Sequence, residues 1–552
     1  MPSIDPKTYL HLIDRHPTSL PKLLQIQASL TTSGLLSSHP FLLSQLIQTN
    51  AFCFSHAHQI LSRSQSHSRF PFNALLRALS LSRSPLNALH LFAKMLHPNS
   101  PKPNSSSFTL ALKACALSDS RSGARAVHAL AIVMGYQSSA HVVNTALHAY
   151  ASCSDIASAR VLFGAIPSFD VIKWNAMISG YVQNGLLDEA FELFRRMWEI
   201  GIVPTDVTVI SVLSGCARLK NFILGRQIHG FVSKRLMQFE REVNIGTALL
   251  DMYAKCGCLD LAKQVFDLMR RRDTGVWNAL IAGYVSNGYF CEAIQIFDDL
   301  QASGLSPDAP TLVSALCACA HLGALNIGKR IHVYIDKKYP CFNAILGTSL
   351  IDMYSKCGCI EISREVFNKI RKKDAMAWTS MIGALAAHGH AVDALKLFDS
   401  MKKHGFKPDG VTFVGVLNAC RHVGLVEEGL GHFKSMKRDY GIKPRVEHYG
   451  CMIDLYSRAG RLGEALELIA SMEVDANPII WRSFLSACRL NLDVELAEVA
   501  LEKLKKMQSG HCGDYVLLSN IYAFKGRWED ARRVRSWMKE EEIRKKPAFS
   551  LI

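Results

Sequence analysis

Residues 246–281 read GTALLDMYAKCGCLDLAKQVFDLMRRRDTGVWNALI, and nearly the same text returns at residues 347–382 as GTSLIDMYSKCGCIEISREVFNKIRKKDAMAWTSMI, 101 residues on. A looser copy, NTALHAYASCSDIASARVLFGAIPSFDVIKWNAMI, occupies residues 144–178. A repeat at fixed period is weighed before any motif, because it separates residues that recur for packing from residues that mark a site. Within the sharpest copy, Leu249, Met252, Tyr253 and Cys256, then Ala262, Val265, Phe266 and Met269, follow the i, i+3, i+4, i+7 spacing of a buried helical face. Gly257 separates the two stretches, and Asp260 and Asp267 take polar positions. Arg270, Arg271 and Arg272 are expected to close the second helix, where cations suit the carbonyl end of the dipole. Each unit is thus two antiparallel helices, and neither buries its stripe without stacked neighbours. The expected fold class is all-α: an α-solenoid superhelix of stacked helix-turn-helix repeats, with no competing strand alternation.

The unit lengths repeat as well. Residues 243–273, 274–308 and 309–343 make units of 31, 35 and 35 residues, which together give the 101-residue spacing. Upstream, residues 1–18 carry little pattern, residues 20–38 look like a degenerate helical unit, and residues 40–68 suggest a short helix pair. A clear unit begins at Arg69, with Phe72, Leu75 and Leu76 on one helix and Ala88, Leu91, Phe92 and Met95 on the next. A Pro/Asn/Ser turn over residues 98–107 closes it.

At 552 residues, a single compact core is unexpected. The formal net charge of +16 suits a polyanionic partner. The strongest uncharged apolar run, residues 126–136, is too short to span a bilayer. Sixteen cysteines mostly recur with the repeat and read as reduced, buried packing residues rather than disulfides. The start shows no secretory signal, and no acidic residue lies between Arg15 and Ser118. That stretch fits either an organellar transit peptide or an acid-poor first repeat behind a short tail.

These residues resemble the pentatricopeptide repeat family, specifically the plant PLS subclass, in which P, L and S motifs of these lengths rotate. The P motif is visible from Val171 in VIKWNAMISGYVQNGLLDEAFELFRRMWEIGIVPT, the L motif in the Gly-xxx-His element at His229 and His332 with its counterpart at His128, and the S motif in LIDMYSKCG from Leu350. The resemblance covers roughly residues 20–552. Its implied organisation is a tail over 1–18, an array of about a dozen units over 19–477, and an E-type extension of helix pairs over 478–552. NPIIWRSFLSACRLNLDVELAEVALEKL from Asn477 and GDYVLLSNIYAFKGRWEDARRVRSWMKEEEIRKKP from Gly513 are similar to that extension. Family members with this tail are typically site-specific factors for cytidine-to-uridine editing of mitochondrial or chloroplast transcripts. The family often continues into a DYW deaminase domain, whereas this sequence has no H-x-E followed by C-x-x-C, the zinc ligands and glutamate a deaminase needs. The resemblance therefore implies a non-enzymatic factor without metal or cofactor, which recruits a separate DYW-type cytidine deaminase in trans. Gln27 stands where the first L-like unit would carry its His.

Repeats of this kind read one base each with two or three side chains. By the resemblance, these are the fifth residue of each P or S motif and its last residue. Aspartate accepts hydrogen bonds but cannot donate, so at the last position it suits guanine N1–H or uracil N3–H. In the family's code, threonine at the fifth position goes with purines and asparagine with pyrimidines. Asn73 with Asn104 then implies C, Asn144 with Asp170 implies U, and Asn175 with Thr205 a pyrimidine. Thr247 with Asp273 implies G, Asn278 with Asp308 U, and both Thr348 with Asp374 and Thr379 with Asp409 G. The L motifs offer Ile210, Val313 and Val414, which cannot hydrogen-bond, so their bases stay open. The implied target is 5′-C-x-U-Y-x-G-U-x-G-G-x-x, with the edited C a few nucleotides further 3′.

Other features read as packing. Cys256-Gly-Cys258 and Cys357-Gly-Cys359 lack a second ligand pair for a tetrahedral site. His128, His229 and His332 recur at the second helix of L motifs, and Trp174, Trp277 and Trp378 recur in the core of P motifs. Arg532, Arg533, Arg535, Lys545 and Lys546 fit a solvated face or an RNA contact equally. Two further functions stay open: an organellar splicing, stability or translation factor, and a helical-repeat scaffold for proteins. The mitochondrion is favoured slightly over the chloroplast.

Overall fold

A computed structural model of the chain describes residues 6–540, apart from 16–19, 34, 36–38, 50–67, 81–84, 99, 166–169, 236–242, 340–342, 473–475 and 508–510. Every regular element among the described residues is a helix, 31 in all. From Arg69 on they run as pairs, a first helix followed by a shorter or equal second one, and within each compact unit successive first helices pack on one another. Ala140–Ser152, for example, lies between Ser105–Leu117 and Val171–Gln183, with its own second helix, Ile156–Ala165, behind it. This is the α-solenoid arrangement that the repeat period implies. The chain divides into two compact units, Met1–Arg272 and Asp273–Ile552, each such a stack.

The apolar stripes read from the sequence form the core. Leu249, Met252 and Tyr253 in Val243–Lys255 are buried, as are Ala262, Val265 and Phe266 in Leu259–Leu268. Gly257 takes φ 79°, the left-handed conformation that ends the first helix without a Cβ penalty. The arginine run departs from expectation. The second helix stops at Leu268, and Met269 is already extended, so Arg270, Arg271 and Arg272 lie beyond it. Arg272 still serves the helix end, donating to the Phe266 and Asp267 carbonyls at 2.9 Å each while its guanidinium covers the Phe266 ring.

In the first unit, residues 6–15 form a helix, Pro6–Arg15, rather than patternless tail: Tyr9 and Ile13, one turn apart, are buried, and Tyr9 Oη bonds Ser29 Oγ at 2.7 Å. Pro40–Thr49 is the first member of the expected pair over 40–68, and its second member falls outside the described residues. The far ends, 1–5 and 541–552 with Lys545 and Lys546, also fall outside them.

Neighbouring pairs are joined by a recurring polar contact. His128 Nδ1 bonds Tyr150 Oη at 2.8 Å, His229 bonds Tyr253 at 2.8 Å, and His332 bonds Tyr354 at 2.9 Å. Burial lowers the pKa of each imidazole, so each is a neutral partner at neutral pH. The glycines of the Gly-xxx-His element explain themselves sterically: a Cβ on Gly225 would collide with Met252, and one on Gly328 with Met353. At Asp155, which is fully buried, Arg121 and Arg125 reach over from the preceding pair at 2.8 and 2.7 Å. Burial alone would raise its pKa, but the two guanidinium groups outweigh it and hold the carboxyl well below the usual carboxylate range.

Two outcomes are expected in thermal or urea unfolding. Gly225→Leu overpacks the contact with Met252 and costs about 1–3 kcal/mol. Gly230→Ala, on the same helix and facing open space, gains up to about 1 kcal/mol. Because Asp155 has a depressed folded pKa, its stabilisation is complete above the ordinary carboxylate range and is lost as pH falls toward the folded value. Asp155→Asn should therefore lower stability at pH 7 and reduce the slope of stability against pH below about pH 4.

Candidate nucleic-acid interface

The last residue of a unit is also the N-cap of the next first helix. The first turn of a helix has unpaired backbone N–H groups, and a short oxygen-bearing side chain satisfies one of them. Asp273 Oδ1 accepts Val276 N–H at 3.0 Å, Asp308 Oδ1 accepts Thr311 N–H at 3.0 Å, Asp374 Oδ1 accepts Ala377 N–H at 2.9 Å, and Asp409 Oδ1 accepts Thr412 N–H at 2.8 Å. In all four the second carboxylate oxygen meets no partner among the described residues. Asn104 and Asp170 cap in the same way, onto the N–H groups of Ser107 and Ile172, both at 3.0 Å.

The fifth residue of the preceding first helix comes up beside that cap. Asn73 Nδ2 donates to Asn104 Oδ1 at 3.2 Å, Asn144 Nδ2 to Asp170 Oδ2 at 2.8 Å, and Asn175 Nδ2 to Thr205 Oγ1 at 3.0 Å. Thr379 reaches Asp409 through a shared neighbour, since Thr412 Oγ1 lies 2.7 Å from Thr379 Oγ1 and donates to Asp409 Oδ1 at 2.8 Å. Among the described residues, Asn278 with Asp308 and Thr348 with Asp374 carry no such bond. Asn278 Oδ1 and Thr348 Oγ1 are buried without a partner, and Thr247 Oγ1 donates back to the Val243 carbonyl at 2.7 Å. Thr247 and Asp273 belong to different units. Ile210, Val313 and Val414, at the fifth place of L motifs, are half-buried and apolar.

Two sets of residues beside these pairs escaped the sequence reading. The second residue of many first helices is a large apolar side chain left in solvent: Ile172, Val207, Ile345, Met376 and Val411 are 57–64 % exposed. Second and fifth residues are i, i+3 neighbours, so each apolar side chain shares a helix face with a fifth-position residue. A hydrophobic residue two places after a cap and ahead of the buried stripe was the available signal. The third residue of the L-type first helices, Ser107, Thr208, Thr311 or Thr412, is a buried hydroxyl. On the first-helix face of the N-terminal unit, Arg77, Lys113 and His141 also border one groove with Ser105, Ser106 and Thr109.

The row ends in an altered form. In Pro478–Asn491 the fifth residue is Arg482, whose Nε donates to both carboxylate oxygens of the buried Asp514 at 3.0 and 3.1 Å. The slot occupied by Asn or Thr upstream is here filled by an internal ion pair.

The remaining candidates sit in packing contacts. Trp174, Trp277 and Trp378 are 6–8 % exposed. Cys256 Sγ rests 3.9 Å from Met252 Sδ, and Cys357 Sγ the same distance from Met353 Sδ. All described cysteines are free thiols, and burial pushes Cys115, Cys216, Cys319, Cys420 and Cys488 up to about 12. Among the described residues no three His, Cys, Asp or Glu side chains gather to hold a metal, and no helix is long and apolar enough to cross a membrane.

A solenoid of helix pairs in which polar caps such as Asn104, Asp170, Thr205 and Asp409 stand beside a neighbour's fifth side chain defines a helical-repeat protein with a built polar row. Family models match in register: the PPR repeat family over residues 170–218, 272–321 and 373–422, the PPR repeat over 247–274, 348–374, 411–440 and 447–475, and the E motif over 491–552. A pentatricopeptide repeat-containing protein of Arabidopsis thaliana is 38% identical over 98% of this chain and 97% of its own. Another, named mitochondrial, is 40% identical over 88% of this chain and 74% of its own. The chain belongs to the pentatricopeptide repeat family. Among solved structures, the maize protein PPR10 shares the fold at 17% identity and TM-score 0.60, over 98% of this chain and 87% of its own, in a complex with an 18-nucleotide psaJ RNA element.

The cap and any reading role are separable at Asp308. Asp308→Asn keeps an oxygen for Thr311 N–H and should unfold within a few tenths of a kcal/mol of the parent, whereas Asp308→Ala should cost about 1 kcal/mol, both measured by urea unfolding.

Proposed function

We propose that the chain is a sequence-specific single-stranded RNA-binding factor that directs C-to-U editing of organellar transcripts and recruits a separate DYW-type cytidine deaminase through residues 478–552. The observation that carries this reading is a fifth-position side chain, a capping side chain with an unused oxygen, and an exposed apolar side chain one turn away, a set complete at Thr348, Asp374 and Ile345 and again at Thr379, Asp409 and Met376. A base has polar edges and an apolar face. The Asp and Asn caps offer its edge acceptors or donors, and Ile172, Val207, Ile345, Met376 and Val411 offer its face a dry surface. The +16 net charge favours a polyanion.

The ion pair of Arg482 with Asp514 removes the reading slot from the first helix after residue 477, which fits an array ending there and an extension serving another purpose. The E motif over 491–552 favours editing over splicing or end protection, because family members with that tail are typically editing factors. Relatives named mitochondrial favour that organelle, with the chloroplast as the alternative.

Sequencing of mitochondrial and chloroplast RNA from plants lacking the gene should show one or a few sites reverting to unedited C, preceded by bases fitting 5′-C-x-U-Y-x-G-U-x-G-G-x-x. If every site remains edited while one transcript loses splicing or an end, the array serves RNA processing instead. In binding assays, Asp308→Asn should shift the facing base from U toward C by roughly 5- to 150-fold, since asparagine can donate where aspartate cannot.

A further inference from the structure

Between each P-type first helix and the next L-type one lies a hydroxyl that neither the repeat period nor the two-residue reading accounts for. At Thr208 the contacts include the Thr205 hydroxyl, whose Oγ1 lies 3.2 Å from Thr208 Oγ1 and can donate to it. Thr208 Oγ1 accepts the Thr205 N–H at 2.9 Å and has one hydrogen to give. That hydrogen goes to Asn175 Oδ1, the shortest of the contacts around this residue. Asn175 Nδ2 in turn donates to Thr205 Oγ1. The amide oxygen of Asn175 is therefore turned to a donor inside the protein. One amide hydrogen is left over, so the side chain offers the groove a donor.

Where the cap is an aspartate, the same hydroxyl behaves differently. Thr311 Oγ1 donates to Asp308 Oδ1 at 2.6 Å, and Asn278 Oδ1 is left without a partner. At the carboxylate caps Asp308 and Asp409 the hydroxyl donates to the cap, at Thr205 it donates to the fifth residue Asn175, and at Asn104 the Ser107 hydroxyl has both Asn73 Oδ1, at 2.7 Å, and Asn104 Oδ1, at 2.9 Å, within reach. At the junctions entering P-type helices the third residue is Lys173, Val276 or Ala377, so this device is confined to the P-to-L junctions.

We propose that Thr208 is a positioning residue for base selection: it locks the Asn175 amide with its N–H toward the RNA, so that the facing base must present an acceptor such as a pyrimidine O2. This rests on the RNA-reading function proposed above. Without the hydroxyl, the amide can turn over and present its oxygen, and the base-edge requirement is lost. The contact is internal, so Thr208 touches no base itself.

The test uses the full chain and four 12-nucleotide RNAs of the implied target, uridine at the unread places and C, U, A or G at the fourth place, in fluorescence anisotropy. The parent protein should favour C and U over A and G by about 10-fold, within the range for one correctly paired side chain. Thr208→Val should bring the four affinities to within about 2-fold of one another, while Thr208→Ser restores the preference. Melting temperatures follow folding, and Thr208→Ala replaces the valine variant if that one fails to melt cooperatively. Retention of the 10-fold preference without the hydroxyl, or an equal loss of affinity for all four RNAs, would overturn the proposal, the second because it marks a purely structural role. A parent that binds all four RNAs equally overturns base reading at Asn175, and a parent that binds none overturns RNA recognition itself.

Discussion

The hydrogen bond from a unit's last side chain to the first turn of the next helix is the contact on which the rest depends. A first helix needs its N-terminal N–H groups satisfied, and an Asp, Asn or Thr ahead of it does so at a cost of order 1 kcal/mol when removed. That requirement alone would place a polar residue at every junction. It also fixes the residue's position, because the cap cannot swing away without releasing the helix. A carboxylate held by one oxygen presents the other in a constant direction, as at Asp308, Asp374 and Asp409. A structural need thus yields a row of preorganised polar atoms, and preorganisation is what makes recognition inexpensive in entropy.

Stacking supplies the second constraint. First helices pack on first helices, so a fifth residue necessarily approaches the cap of the following unit, as Asn144 does with Asp170. The second helices contribute the tyrosine–histidine contacts and the glycine–methionine fits that keep neighbours in register. Burial suppresses protonation of those histidines, so the register does not depend on pH near neutrality.

Much of this was legible in the text of the chain. The spacing of Leu249, Met252 and Tyr253 fixes a buried face without reference to any structure, and the recurrence of that face at a 101-residue period implies stacking. The capping residues were legible too, since Asp before an apolar run has a known local geometry. What the pattern could not convey was three-dimensional bookkeeping. Thr208 and Thr311 sit inside the buried stripe, where a hydroxyl is read as a tolerated small residue, and their role depends on partners 33 and 3 residues away. Arg482 carries no signal of its own in the sequence, because its partner, Asp514, is 32 residues on. The run from Arg270 to Arg272 was placed in a helix because its charge suits a helix end, but Met269 turns extended and leaves only Arg272 to reach back.

The claim that the polar row reads RNA bases is tested most directly by selection from a random RNA pool with the purified chain. The enriched sequences should carry a U and a pyrimidine, then G and U, then two adjacent Gs, separated by unselected places as in the order of the units, and enrichment should weaken steeply as salt rises. Enrichment of no common sequence, or of one whose bases do not follow the order Asn144, Asn175, Thr247, Asn278, Thr348 and Thr379 along the chain, would contradict it.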